Sequence, residues 1–231
     1  MMLKRRFLAT IAYLLGVHVL ALAVMSSFRL AQYLVLGSMA GEGDASHLTA
    51  FVRGVWFDNV IGCYVMVLPM AVLLLLGVFG IYRRWLLRAA NVWFVVLYAL
   101  VFMASAGNIP YFAYFFKNLD SSIFGWFGYA GTTAGMVFGE TAYLPYIVAW
   151  VVAVVLFGWL LHRGGRHIWS RIEGSAPAGP RRLSWGRVPG RLAVAAVLIA
   201  LCVFGIRGRR GYNPIKISQP HYCDDPFLNQ L

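Results

Sequence analysis

The sequence predicts an all-α membrane protein of five transmembrane helices, with an interfacial helical element in the outer loop between spans 3 and 4. Three observations lead there. The chain of 231 residues is 61% hydrophobic and only 12% charged, where a soluble domain carries about 25%. Its mean hydropathy is +0.71. Its apolar residues fall into runs near the ~20 residues that cross a bilayer, separated by short basic clusters.

The first predicted span covers residues 7–25, behind Lys4, Arg5 and Arg6. It is longer than a signal-peptide core and no clear A-x-A site follows, so a retained helix is expected. The second covers residues 59–81 and contains "VMVLPMAVLLLLGVFG", with Pro69 inside it. Proline is tolerated in membrane helices and often kinks them. The third covers residues 89–106 and the fourth residues 143–161. The fifth is the short run "LAVAAVLIALCVFGI" from Leu192.

Net charge is +12, from 20 Lys and Arg against 8 Asp and Glu. The cations cluster at the N-terminus, at Arg83, Arg84 and Arg88, and from Arg163 to Arg191. With five spans these clusters share one side. The positive-inside rule then puts the N-terminus in the cytoplasm and the C-terminus outside, in a bacterial cytoplasmic membrane. Arg207, Arg209, Arg210 and Lys216 oppose the rule and are outweighed by three agreeing regions. No nucleic-acid recognition motif accompanies the charge. Arginines of the irregular "EGSAPAGPRR" loop are expected against anionic headgroups, at about 1 kcal/mol each.

The loop "GNIPYFAYFFKNLDSSIFGWFGYAGTTAGMVFGE" is aromatic-rich and too polar to span. Gly128, Gly131, Gly135 and Gly139 would form one smooth helical face, so an interfacial or re-entrant element packed on a neighbour is expected.

Candidate chemistry is sparse. Arg29, Arg53, Asp58 and Glu140 lie at the outer edges of spans, where a charge reaches the interface at little cost. They read either as topology signals with local ion pairs, or as a site where arginine forks grip a lipid phosphate and the carboxylates orient them. The pair Arg209 and Arg210 shares that edge. His18 in the first span reads as hydrogen-bonded to a neighbouring helix rather than as a proton relay. "HRGGRH" lacks metal-ligand spacing, and Thr132-Thr133 lacks a base. No P-loop, G-x-S-x-G, H-E-x-x-H or acidic metal cluster occurs, so no catalytic or metal residue is assigned. Of three cysteines, Cys63 and Cys202 lie in apolar runs, and Cys223 lies in the polar tail.

That tail, "RGRRGYNPIKISQPHYCDDPFLNQL", carries turn signals and then a helix start at Asp224-Asp225-Pro226. Residues 1–206 are read as the membrane domain and 207–231 as an extracytoplasmic linker towards a catalytic domain absent from this chain.

The five spans, "GVWFDN", "YFFKNLDSSIFGWF" and this tail resemble the N-terminal membrane domain of the lipoteichoic acid synthase-like, sulfatase-family (alkaline phosphatase superfamily) membrane proteins. There an "RG…PI" stretch and an "N-x-L" element precede the catalytic domain. Either Arg207-Gly208 or Arg210-Gly211 matches the "RG", Pro214-Ile215 the "PI", and Asn229 with Leu231 the "N-x-L". The resemblance implies a metal-dependent phosphoglycerol transferase or sulfatase-like hydrolase, with a threonine nucleophile and a divalent metal, commonly manganese, in the further domain. It implies membrane lipids, phosphatidylglycerol-like, as partners of a domain that anchors and positions. Phosphoethanolamine transferases share the plan, and a non-enzymatic accessory membrane protein is the rival from another class.

Overall fold

The computed structural model describes residues 2–40, 46–119, 139–174, 188–208 and 225–231, together with residues 125, 128, 131, 132, 135, 186 and 223. The described residues are helical, without a strand among them. Five helices are long and apolar enough to cross a membrane. They are α1 (Met2–Leu36), α2 (His47–Val78), α3 (Arg84–Phe115), α4 (Leu144–Gly174) and α5 (Val188–Arg207). A short α6 (Pro226–Gln230) follows.

Four of these helices outrun their apolar cores, at 35, 32, 32 and 31 residues for α1 to α4. The sequence places residues 26–58 in an outer loop, yet α1 continues to Leu36 and α2 begins at His47. Likewise α3 runs through Pro110 to Phe115, into the stretch expected as loop. Hydropathy marks where lipid begins, whereas a helix continues as long as side chains find packing. Leu36, Ala50, Ile109 and Phe112 are all buried beyond the predicted ends.

The helix stops have local causes. Gly80 takes φ 75° after α2. Its N–H reaches Gly77 O at 3.1 Å and the Ile81 N–H reaches Leu76 O at 2.9 Å. Together these form a Schellman motif, which needs the left-handed residue that glycine supplies. Gly208, φ 61°, closes α5 directly after Arg207. Of the two Arg-Gly pairs in the tail, Arg207-Gly208 is therefore a helix stop; Arg210-Gly211 lies outside the described residues.

The chain divides into two units. The first comprises Met1–Ala23, Phe57–Tyr98 and Leu156–Ile215. Its core holds Phe94, Tyr98, Phe157, Leu74 and Val78, with Tyr98 edge-on to Phe157 at 5.1 Å. Polar groups here tie one helix to another. Tyr13 on α1 donates to Asn91 on α3. A Cβ at Gly165 on α4 would stand 2.8 Å from the Asn91 amide nitrogen, so α4 approaches that side chain where only glycine fits. The "HRGGRH" stretch thus has a packing role at its second glycine. His18 Nε2 lies 2.9 Å from Asn59 Oδ1 on α2, the neighbour-helix bond expected of it.

The second unit comprises Val24–Trp56, Ala99–Val155 and Lys216–Leu231. Its core gathers Leu36, Ala50, Ile109, Phe112, Phe227, Leu228 and Leu231. The last three residues come from the tail, so the end of the expected linker is part of a packed unit. In contrast, the most apolar stretch of α4 is only 11% buried. Val148, Val151, Val152, Val155 and Trp159 are exposed along it, as suits a face covered by lipid tails.

The expected interfacial element falls mainly outside the described residues. Gly128, Gly131, Gly135 and Gly139 meet no described atom within 4 Å of a Cβ position.

Candidate functional site

The candidate site is built from the polar residues of the second unit. Arg29 stands on α1 and is half-buried. Its guanidinium crosses the α2 backbone at Gly54, filling the space that a side chain there would take. Gly54 adjoins Arg53, also half-buried. The sequence-predicted pair Arg29 and Arg53 is thus brought to one stretch of α2, by a glycine that sequence reasoning quoted without using.

One helical turn beyond Arg29, Gln32 is buried. Its Oε1 accepts from Asn108 Nδ2 on α3 at 3.2 Å. Asn108 also donates to Asn118 Oδ1 at 2.7 Å and accepts from the Leu119 N–H at 2.8 Å. A chain of amides therefore pins the start of the "KNLDSS" segment to α3 and α1. The signal for it was present as two asparagines and a glutamine among apolar residues. Isolated amides do not announce their partners in a sequence.

The tail is docked by local chemistry. Asp225 is the N-cap of α6, its Oδ1 accepting from Phe227 N–H at 2.8 Å and Leu228 N–H at 3.1 Å. Proline opens the helix, as the Asp-Asp-Pro signal predicts. Asn229 is buried and clasps Cys223 from both sides, accepting its N–H at 3.3 Å and donating to its carbonyl at 2.5 Å. Phe227 packs edge-on to Phe112 at 5.5 Å and stacks with Tyr33 at 6.5 Å. Asn229 and Leu231, matched to the "N-x-L" element, are both buried here.

The remaining predicted residues are placed as follows. Asp58 is buried on α2, within the first unit. Glu140 is exposed, immediately before a turn of 3-10 helix at Thr141–Tyr143. Arg209 and Arg210 lie outside the described residues. Among the described residues no group of three or more His, Cys, Asp or Glu gathers as metal ligands. The divalent metal that the resemblance implies is expected in the further domain, and no residue of this chain is assigned to it.

Comparison with protein-family models, curated proteins and solved structures found no match. The chain is a multi-helix protein whose apolar helices suit a multi-pass membrane protein.

Proposed function

We propose that this chain is the membrane module of a lipid headgroup transferase or hydrolase of the phosphoglycerol transferase and sulfatase type. It anchors the enzyme in a bacterial cytoplasmic membrane, with the N-terminus inside and the C-terminus outside. It holds the lipid phosphate near Arg29 and Arg53 at the outer face, while catalysis belongs to an extracytoplasmic domain that follows. Glu140, of the same unit, belongs to the headgroup surface in this reading, while Asp58 lies in the first unit and Arg209 and Arg210 lie outside the described residues.

The docked tail is the observation that carries it. A linker that only tethers has no need to bury Phe227, Leu228, Asn229 and Leu231. Burial fixes where the chain leaves the second unit, the unit that also holds Arg29 and Arg53. A fixed exit point is what positions a catalytic domain over a membrane-bound substrate.

The test begins by sequencing the native gene past codon 231 and expressing its full product. Release of phosphoglycerol from phosphatidylglycerol vesicles is then measured, with phosphatidylethanolamine as the competing substrate. Turnover that falls about tenfold or more in Arg53→Ala supports the headgroup site, since a charge-assisted hydrogen bond is worth about 1.5–3 kcal/mol. Unchanged turnover removes the site. A product with no metal-ligand set and no transfer activity removes the enzyme reading.

A further inference from the structure

Two of the three cysteines meet inside the first unit. Cys63 on α2 and Cys202 on α5 are 139 residues apart in the chain, and both are buried. The Cys202 thiol donates to Cys63 O at 3.4 Å. Each thiol is also the side-chain hydrogen-bond partner of the other. Cys63 Sγ lies in the space left open by Gly205, one helical turn after Cys202, and Cys63 Cβ stands 3.5 Å from the Cβ position there. The two Cβ atoms of a disulfide stand about 3.5–4.5 Å apart. Along this turn α2 and α5 are therefore as close as a disulfide requires.

The surroundings are polar for a membrane span. Asn59, one turn before Cys63, brings its amide nitrogen 3.7 Å from the same Gly205 position that Cys63 Sγ fills. Its Oδ1 is held by His18 Nε2 on α1 at 2.9 Å, which leaves the nitrogen turned towards α5. Packing alone explains a cysteine as a small apolar filler. It does not explain two thiols facing each other beside an amide donor. Polar groups within a span are costly, which marks such a cluster for chemistry.

Access comes from the lipid side. The most apolar stretch of α5 is only 17% buried. Leu201, Val203 and Phe204, the neighbours of Cys202 and Gly205, are exposed on it, as is Tyr64 beside Cys63. These side chains screen the sulfurs from water and leave them open to a small apolar molecule dissolved among lipid tails.

We infer that Cys63 and Cys202 form a redox-active dithiol, which an apolar hydroperoxide such as a peroxidised acyl chain closes to a disulfide joining α2 to α5. The Cys63 sulfur attacks the terminal peroxide oxygen, because the Cys202 thiol hydrogen is engaged by the Cys63 carbonyl. The O–O bond breaks, and the alkoxide leaves with the Cys63 proton as an alcohol. Cys63 is thereby oxidised to a sulfenic acid, which condenses with a neighbouring thiol. The Cys202 sulfur forms the S–S bond as the S–O bond breaks, and hydroxide leaves with the Cys202 proton as water. In sum, two thiols lose two electrons, and one hydroperoxide is reduced to alcohol and water. The site lies apart from Arg29 and Arg53 and does not depend on the activity proposed above.

The test uses the 231-residue chain carrying Cys223→Ser, so that these two thiols are the only ones. The purified, reduced protein in neutral detergent is treated with cumene hydroperoxide, then denatured and alkylated for intact-mass spectrometry. Both thiols should become unreactive together, with the mass lower by two hydrogens, and dithiothreitol should restore both. Hydrogen peroxide, which partitions into water, should act at least about tenfold more slowly, because burial shields the sulfur from water. The oxidised chain should unfold at a higher temperature, since the disulfide closes a long loop in the unfolded chain. In Cys202→Ala the sulfenic acid has no partner, and dimedone should trap it on Cys63. Two thiols that stay alkylatable, a disulfide between two chains, sulfinic acid without a disulfide, equal rates with the two peroxides, or a folded Cys202→Ala that gains no dimedone would overturn the inference. If Cys202→Ala does not fold, the joint loss of both thiols and its reversal in the Cys223→Ser chain decide.

Discussion

Trp93 on α3 donates its indole N–H to the carbonyl of Val65 on α2, 3.0 Å away. Val65 stands four residues before Pro69. In a regular helix the N–H of residue 69 would occupy that carbonyl, and proline has none. The indole replaces the missing donor, which is how a neighbouring helix makes a proline tolerable inside a membrane.

This relationship predicts a non-additive pair. Trp93→Phe should destabilise the protein by about 1–2 kcal/mol, because a buried carbonyl loses its partner. In a Pro69→Ala background the helix supplies its own donor, and the same substitution should cost about 1 kcal/mol less. Reversible unfolding of the four proteins in mixed micelles gives the coupling energy. Additive costs would mean that Val65 O gains nothing from the indole.

The docked tail predicts a change in thiol reactivity. Asp225→Ala removes the cap of α6 and should cost about 1 kcal/mol. Phe227→Ala opens the aromatic contact with Phe112 and Tyr33 and should cost about 3 kcal/mol. Either change weakens the clasp between Asn229 and Cys223. Maleimide labelling of Cys223 should therefore accelerate, more for Phe227→Ala than for Asp225→Ala. Cys63 and Cys202 are buried and serve as internal controls. Equal labelling rates in all three proteins would place the tail outside the packed unit.

The five helices and the cap of α6 were legible because each is written locally. An apolar run of sufficient length is its own signal, and Asp-Asp-Pro names a helix start. The long extensions of α2 and α3 were not legible, since Arg53, Asp58 and Asn108 read as loop residues by hydropathy. Whether a helix continues through them depends on what Ala50 and Phe112 pack against, and that is non-local. Arg6 and Arg191 are far apart in sequence and were read as topology charges, and nothing local announces that both act on Tyr82. The candidates Arg29 and Arg53 were singled out by their shared edge, while the Gly54 that lets Arg29 lie against α2 was not.

Tyr82 predicts a pH response. Burial pushes its phenol up to about 12, and Arg191 and Arg6 pull in the opposite direction without cancelling that effect. Its hydroxyl donates to Gly77 O at 3.2 Å, a bond available only to the protonated form. Free tyrosine titrates near 10. Between those values the unfolded chain has released the proton that the folded chain keeps, so stability falls as pH rises from about 10 to about 12. Below that window both states are protonated and Tyr82 contributes no slope. Relative to wild type, Tyr82→Phe should therefore gain stability across the window and show a constant difference below it. Thermal midpoints at a series of alkaline pH values measure this, and parallel curves across the window would reject it.

Gly205 predicts a steric clash with a specific rescue. A Cβ at Gly205 on α5 would stand 2.5 Å from Cys63 Sγ and 3.7 Å from the Asn59 amide nitrogen on α2. The first separation is below any real carbon–sulfur contact, so a side chain must turn or the two helices must part. Cys202 Sγ, on the same helix as Gly205, donates to Cys63 O at 3.4 Å, which fixes how close they lie. Gly205→Ala should therefore destabilise by about 1–3 kcal/mol, the range for overpacking a core. Helix propensity alone would favour alanine by up to about 1 kcal/mol, so the sign separates the two effects. Cys63→Ala removes the sulfur that the new methyl meets and should restore most of the loss in the double variant. Unfolding free energies of the single and double variants decide the matter. A stabilising Gly205→Ala would mean that α5 stands further from Cys63 than the structure places it.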